Sequence, residues 1–173
     1  ILKFDLFPNE ISAVNAIKSG QIHGLAGLSI DNLRDLSDNY ATEVLTSDVI
    51  YNQYWAMYFN LDNELFAEKK LRQAISSAIN KERIVETLLG YAEASDSSIP
   101  KSSFAYADVN RYTYDPVKTA ELLEEIGWVL PPGRLYREKD GKQLEFELLY
   151  VDNDDREKIA TVIKQDLAEV GIN

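Results

Sequence analysis

The densest group of potential metal ligands is the run DNDDRE at residues 152–157, which holds four carboxylates. Carboxylate oxygens are preferred calcium ligands, but a calcium loop also needs a glycine at its sixth position and a distal glutamate. This run lacks both features. Acids in the first turn of a helix interact favourably with the positive end of the helix dipole. We therefore interpret the run as a helix N-cap followed by an acidic first turn, and we predict no metal site.

The other reactive side chains give little support for catalysis. There is no cysteine, which excludes disulfides, thiolate metal sites and cysteine nucleophiles, and the single histidine, His23, excludes a multi-histidine metal site. Gly24 and Gly27 have the spacing of neither a phosphate loop nor a dinucleotide fingerprint. A carboxylate pair acting as acid and base would need a pocket and shifted pKa values. A hydrolase of that kind stays an alternative without a nominated acid, and we predict no catalytic residue and no cofactor.

The run YNQYWAMYFN at residues 51–60 carries five aromatic side chains and is the first candidate for a binding surface. Side chains alternate between the two faces of an extended segment. Trp55 and Phe59 share one face, which is most simply interpreted as core because burying such side chains is strongly favourable. Tyr54 and Tyr58 share the other, where an apolar ring with a hydroxyl group suits the boundary between core and cleft.

A second candidate is the polar loop GYAEASDSSIP at residues 90–100, which includes Ser95 and Asp96. It follows a predicted helix C-cap, and the chain lacks periodicity from there to residue 112. The loop is either a surface connection or a ligand-contacting segment, since loops held by a rigid scaffold are where ligands are often bound.

Composition narrows the class of protein. A chain of 173 residues with 45% hydrophobic and 27% charged residues is typical of one globular domain. The net charge of -11 offers no basic face for a phosphate backbone, so we expect no nucleic-acid partner. No apolar run approaches the roughly 20 residues needed to cross a bilayer. The start, ILKFDLF, lacks the features of a signal peptide.

The periodicity of apolar residues predicts alternating strands and helices. Leu2, Phe4 and Leu6 predict a strand, and Asp140-Gly141 predicts a hairpin turn. A helix is predicted over residues 71–79 from apolar side chains at helical spacing. Further helices are expected after the N-cap residues Asn9, Ser29 or Asp31, Asn80, Asp115 and Asn153. The order of elements predicts an α/β fold with a mixed sheet covered by helices on both faces.

Several motifs taken together resemble one known family over nearly the whole chain. In the order in which they occur, these are SGQIHGL at residues 19–25, FN at 59–60, LRQA at 71–74, AINK at 78–81, IP at 99–100 and YDPVKTAELLEEIGW at 114–128. They resemble the bacterial extracellular solute-binding proteins of family 5. His23 departs from the pattern, because the family usually has an aspartate at that position.

The resemblance implies a non-catalytic, two-lobed protein with the type II periplasmic-binding fold. Such proteins close around a peptide, a nickel chelate or another small solute and deliver it to the membrane permease of an ABC importer. The expected location is periplasmic or extracellular, with a lipid-anchored form left open, and the expected state is monomeric. We expect residues 1–173 to be a partial solute-binding lobe, a fragment of a longer protein. The alternative is the ligand-sensing domain of a cytoplasmic transcription regulator with the same fold.

The resemblance also bears on which residues contact the ligand. It makes residues 59–60 the far end of the aromatic segment, so the opposite end is expected to face the cleft. The predicted ligand contacts are Tyr51, Tyr54, Trp55, Ser95 and Asp96.

Overall fold

The computed structural model describes residues 1–47, 54–101 and 103–173 and divides the chain into two compact units, Ile1–Tyr51 and Asn52–Asn173. Among the helices it describes, none combines the length and the hydropathy needed to cross a membrane.

The first unit contains two helices, α1 (Glu10–Lys18) and α2 (Ile30–Asn39). Lys18, at the end of α1, lies 2.5 Å from the Asp35 carboxylate of α2, and its ammonium group lies 4.6 Å from the centre of the Tyr40 ring. The ion pair and the cation–π contact join the two helices. The hydrogen bond to Asp35 raises the pKa of Lys18, and the same contact lowers the pKa of Asp35.

The predicted strand over residues 2–6 is not formed. These residues have no regular secondary structure, and Leu2, Phe4 and Leu6 are all largely exposed. Alternation of apolar residues stabilises a strand only when a neighbouring strand supplies the ladder of hydrogen bonds. No described residue supplies that ladder here.

The second unit is built around helices packed on one apolar core. Its described helices are α3 (Glu64–Ala67), α4 (Lys69–Ala78), α5 (Lys81–Thr87), α6 (Pro116–Glu125) and α7 (Asp154–Glu169). Helix α4 contacts α6 and α7, and α5 contacts α7. Leu71, Ile75 and Leu123 are completely buried in this core. Each such side chain contributes roughly 1.5 to 3 kcal/mol through burial.

The hairpin predicted at Asp140-Gly141 is confirmed. Strands β1 (Glu138–Lys139) and β2 (Lys142–Gln143) pair in antiparallel orientation. Asp140 and Gly141 have φ angles of 51° and 75°. Positive φ at both central residues is the geometry that favours the Asp-Gly pair in two-residue hairpins.

The mixed sheet covered by helices on both faces is not observed. The only sheet among the described residues is this two-stranded antiparallel one. Residues 54–60 and 144–151 are the other alternating segments, but neither has a neighbouring strand along its length.

We expect replacement of Gly141 by valine to lower the free energy of unfolding by about 1–2 kcal/mol, since a β-branched residue is strained at positive φ. A Cβ atom at this position would meet nothing within 4 Å, so the backbone conformation alone should decide the result. Gly141→Asn is the matched control, because asparagine tolerates this conformation better. Urea denaturation measures both variants, and equal losses would contradict the argument.

Candidate functional site

A cleft of about 390 Å³ lies in the second unit, at the N-terminal end of α5. Its walls come from three segments: the start of α5, the polar loop, and the residues that precede α6. The described lining residues are Ile79, Asn80, Lys81, Glu82, Ala94, Asp96, Tyr112, Thr113 and Tyr114. The cleft thus combines tyrosine side chains with a few charged groups, a composition suited to a small polar or amphipathic solute.

Asp96 reaches the cleft because the polar loop is tied to the first residue of α5. The Lys81 ammonium group lies 2.5 Å from the Asp96 carboxylate and donates a second hydrogen bond, of 3.2 Å, to the Ser95 carbonyl. The Arg111 guanidinium lies 3.9 Å from the same carboxylate. Asp96 is therefore flanked by two cations, and any ligand group placed beside it meets a largely neutralised carboxylate.

The Ser95 hydroxyl is occupied by the turn of its own loop. It donates to the Ser97 carbonyl over 2.7 Å and accepts from the Ser97 N–H over 3.2 Å. These bonds shape the loop beside Asp96. A ligand would compete with them for the hydroxyl.

Asn80 lines the cleft and caps α5. Its side-chain oxygen accepts from the Arg83 N–H over 3.0 Å, as the sequence predicts for an N-cap. Its own N–H donates to the Asp166 carboxylate over 2.8 Å, and Asp166 also lies 2.8 Å from the Arg83 guanidinium. These contacts fasten α5, and with it Lys81, to α7.

Asp166 is 1% exposed, and burial raises its pKa above the ordinary value. The Asn80 N–H and the Arg83 guanidinium act in the opposite direction, because both favour the ionised carboxylate. Sequence analysis gave Asp166 no role. The signal in the sequence is the helical spacing of Asp166, which follows Val162 by four residues and Ile163 by three. Residues at this spacing share one face of a helix, so Asp166 lies on the buried face of α7.

Two tyrosines from the segment before α6 also line the cleft. The Tyr112 hydroxyl accepts from the Gln73 amide over 2.9 Å, and the Tyr114 hydroxyl donates to the Glu169 carboxylate over 3.3 Å. Burial, followed by the nearby charge of Glu169, raises the pKa of Tyr114. Sequence analysis gave these residues no role, because nothing in the local pattern shows that the segment before α6 returns to the start of α5.

The described lining of this cleft includes no residue of the aromatic run. Tyr51 lies outside the described residues, and Tyr54 and Trp55 are not among the described residues that line the cleft. Tyr54 and Trp55 leave 50% and 47% of their surface exposed. Met57 and Phe59 are half-buried and pack against the core. The core interpretation is therefore correct for Met57 and Phe59 and wrong for Trp55, and Tyr58 in the same half of the run is 80% exposed.

No group of three histidine, cysteine or acidic side chains in the described parts of the chain could hold a metal ion. His23 is exposed rather than buried. The acidic run is an N-cap, as predicted: the Asn153 side chain accepts from the N–H groups of Asp155 and Arg156 at the start of α7.

Comparison with known proteins places the chain in one family. The model of "Bacterial extracellular solute-binding proteins, family 5 Middle" matches residues 2–173. The nickel-binding periplasmic protein of Escherichia coli K12 is 29% identical, with 98% of this chain and 33% of that protein aligned. The oligopeptide-binding protein AppA of Bacillus subtilis is also 29% identical, over 98% of this chain and 32% of its own length. The chain thus spans about a third of the length of these curated relatives.

Solved structures agree in fold. AppA in complex with a nonapeptide superposes with a TM-score of 0.70 at 26% identity, covering 97% of this chain and 34% of AppA. NikA of Brucella suis in complex with Fe(III)-EDTA gives a TM-score of 0.76 at 23% identity, covering 96% of this chain and 34% of NikA, a likeness of fold alone. These neighbours have the type II binding-protein fold, of which the chain forms a part. The chain belongs to the bacterial extracellular solute-binding proteins of family 5.

Proposed function

We propose that this chain is part of the solute-binding component of an ABC-type importer, with a peptide as the bound solute and without catalysis. The observation that carries the proposal is the family match over residues 2–173. In this proposal residues 1–173 form part of one lobe of a longer two-lobed protein, which acts outside the cytoplasmic membrane as a monomer and delivers its ligand to a membrane permease. The comparisons give no support to the alternative of a regulator's sensing domain.

The chemistry of the cleft supports a peptide as the bound solute. Its described walls carry tyrosine hydroxyls, an amide and a paired lysine and aspartate. Such groups recognise a peptide backbone by hydrogen bonds and its side chains by apolar contact.

The proposed ligand contacts are Tyr51, Tyr54, Trp55, Ser95 and Asp96. Tyr54 and Trp55 support this assignment because each leaves about half of its surface open although other side chains of the same run pack on the core. Exposed aromatic side chains that occur together are typical of binding surfaces. Asp96 supports it by lining the cleft.

The test uses the full-length protein, obtained from its complete reading frame. We expect native mass spectrometry to find copurified peptide, and calorimetry to detect binding of short peptides by the peptide-free protein. If the protein retains a nickel chelate and calorimetry detects no binding of peptides, the proposal that the solute is a peptide is wrong. The 173-residue chain alone should bind peptides weakly or not at all, because closure of two lobes supplies the full contact area.

Replacing Tyr54 by alanine in the full-length protein should weaken peptide binding about tenfold, the loss of roughly 1.4 kcal/mol expected for an aromatic contact residue. The melting temperature should hardly change, since the side chain is half exposed. Phe104→Ala is the control, because Phe104 is an exposed aromatic residue that is not a proposed contact. A large loss of stability with unaltered affinity would assign Tyr54 to the core.

A further inference from the structure

Tyr112 and Tyr114 line the same cleft, and the hydroxyl group of each is bonded to a different helix. Tyr112 accepts a hydrogen bond from the Gln73 amide of α4 over 2.9 Å, whereas Tyr114 donates to the Glu169 carboxylate at the end of α7 over 3.3 Å. A hydroxyl group can donate one hydrogen bond and accept two. The two tyrosines therefore use opposite parts of this capacity within the protein.

The partner of Tyr112 leaves the proton of its hydroxyl group available. The Nε2 atom of Gln73 donates, and no described contact of Tyr112 accepts the tyrosine proton in turn. A hydroxyl group that accepts one hydrogen bond becomes a stronger donor. Tyr112 is half-buried and lines the cleft, so its proton is available to an acceptor on a solute.

The partner of Tyr114 leaves only the lone pairs of its hydroxyl group available. The other oxygen of the Glu169 carboxylate lies 3.5 Å from the Arg83 guanidinium. An ionised carboxylate accepts hydrogen bonds but has no proton to donate. Glu169 therefore holds the Tyr114 proton, and the Tyr114 oxygen can accept a hydrogen bond from a donor in the cleft.

The spacing of the two tyrosines matches that of a peptide backbone. Tyr112 and Tyr114 are half-buried, whereas Thr113 between them and Asp115 after them are exposed. This alternation is typical of an extended segment, in which residues two positions apart share one face and lie roughly 6.5 Å apart. The segment is anchored where it ends, because the Asp115 N–H donates to the Ser77 carbonyl over 2.8 Å. An extended peptide repeats its N–H and C=O groups along one edge at the same interval.

The charged groups of the cleft also favour an uncharged partner at this position. Lys81 and Asp96 are paired over 2.5 Å, so a single anion or cation would have to break that pair. Glu82, the other charged residue of the described lining, is exposed. A peptide backbone supplies one acceptor and one donor without a charge, which is what Tyr112 and Tyr114 can satisfy.

We propose that Tyr112 and Tyr114 bind the backbone of an extended peptide segment, with Tyr112 donating to a carbonyl oxygen and Tyr114 accepting from an N–H group. The proposal deepens the proposed function and rests on it in taking the cleft as part of a peptide site. Hydrogen bonds to the backbone do not depend on the side chains of the peptide. This part of the site should therefore not discriminate between peptide sequences.

Carbon-13 NMR of the full-length protein, labelled at the tyrosine Cζ atoms, tests the proposal with the uncharged probe N-acetylalanine N′-methylamide. We expect the Cζ resonances of Tyr112 and Tyr114 to shift along one shared, saturating titration curve. Tyr112→Phe and Tyr114→Phe should each weaken binding of the probe about fivefold, followed at the remaining tyrosine, as expected for one lost hydrogen bond. Tyr91→Phe is the control, because Tyr91 is exposed and is not in the described lining.

The variant Gln73→Glu tests the direction of the hydrogen bond at Tyr112. A carboxylate at this position accepts the Tyr112 proton, so the hydroxyl group is retained but can no longer donate to a solute. We expect the probe to bind as weakly as it does to Tyr112→Phe, with a melting temperature close to that of the wild type. Unchanged affinity in Gln73→Glu would contradict the assigned donor.

The proposal is wrong if the probe causes no saturating shift at the two tyrosines, or if both phenylalanine variants bind it as tightly as the wild type. These outcomes can be distinguished from failure of the proposed function. If calorimetry detects peptide binding that is unaltered in both variants, the proposed function holds and this assignment fails. If the probe binds at both tyrosines and calorimetry detects no peptide binding, the backbone-binding site is present and the proposed solute is wrong.

Discussion

Replacing Arg137 by methionine is expected to lower the free energy of unfolding by about 2–5 kcal/mol, measured by urea denaturation. Arg137 is 4% exposed, and its guanidinium donates to the Val170 carbonyl over 2.8 Å and to the Trp128 carbonyl over 3.0 Å. Methionine fills similar space but leaves both carbonyls without this donor. Each buried polar group left unsatisfied costs roughly 1–3 kcal/mol.

Two variants separate this hydrogen-bonding role from a general effect of charge. Arg137→Lys keeps the charge but lacks the planar group that donates in two directions, so we expect an intermediate loss. Arg134→Met removes an exposed arginine from the same region, whose guanidinium lies 3.8 Å from the Glu138 carboxylate, and should leave the unfolding free energy nearly unchanged. Similar losses for Arg134→Met and Arg137→Met would contradict the argument.

Replacing Asp166 by alanine is expected to lower the free energy of unfolding by about 2–3 kcal/mol. The substitution removes the acceptor of the Asn80 N–H and the buried partner of Arg83. Breaking a buried pair usually costs about 3–5 kcal/mol, and the 36% exposure of the Arg83 side chain lets water replace part of the loss. Glu169→Ala, which removes an exposed partner of Arg83, is the control and should have a much smaller effect.

The pH dependence of the Asp166→Asn variant gives a second measurement. Because burial raises the pKa of Asp166, the folded protein binds this proton more tightly than the unfolded chain, in which the pKa is about 3.9. This proton binding stabilises the folded state fully when the pH is below the pKa of the unfolded chain. The stabilisation is lost as the pH rises through the raised pKa of the folded state. The wild type should therefore lose stability relative to the variant as the pH increases above about 4. A constant difference, or one that changes in the opposite direction, would contradict the raised pKa.

Local features were predictable from the sequence because their chemistry lies within a few residues. Asn80, Asp115 and Asn153 each accept a hydrogen bond from the first turn of the helix that follows, as the N-cap pattern predicts. The Asp140-Gly141 turn follows equally directly from the tolerance of these residues for positive φ. The family was also identified from the order of its motifs, and the match over residues 2–173 confirms it.

Pairing of strands was not predictable in the same way. Residues 2–6 and 144–151 alternate as strands do, yet neither is paired along its length in the described structure. A strand depends on hydrogen bonds to another segment, and alternation within one segment does not show whether that segment is present. The predicted mixed sheet failed for this reason, whereas the helices, whose hydrogen bonds are internal, were found.

The sequence by itself determined the described helices other than α3, the hairpin turn and the family, because each depends on neighbouring residues or on the order of motifs. It also determined the caps at Asn9, Asn80, Asp115 and Asn153. Only the tertiary structure decided that Asp96 lines a cleft with Tyr112, that Trp55 is exposed, and that Arg137 is buried. Asp166 shows the physical reason most directly: its carboxylate binds the N–H of Asn80, 86 residues earlier in the chain. Such a contact depends on how α5 and α7 pack, and no local pattern of residues encodes that packing.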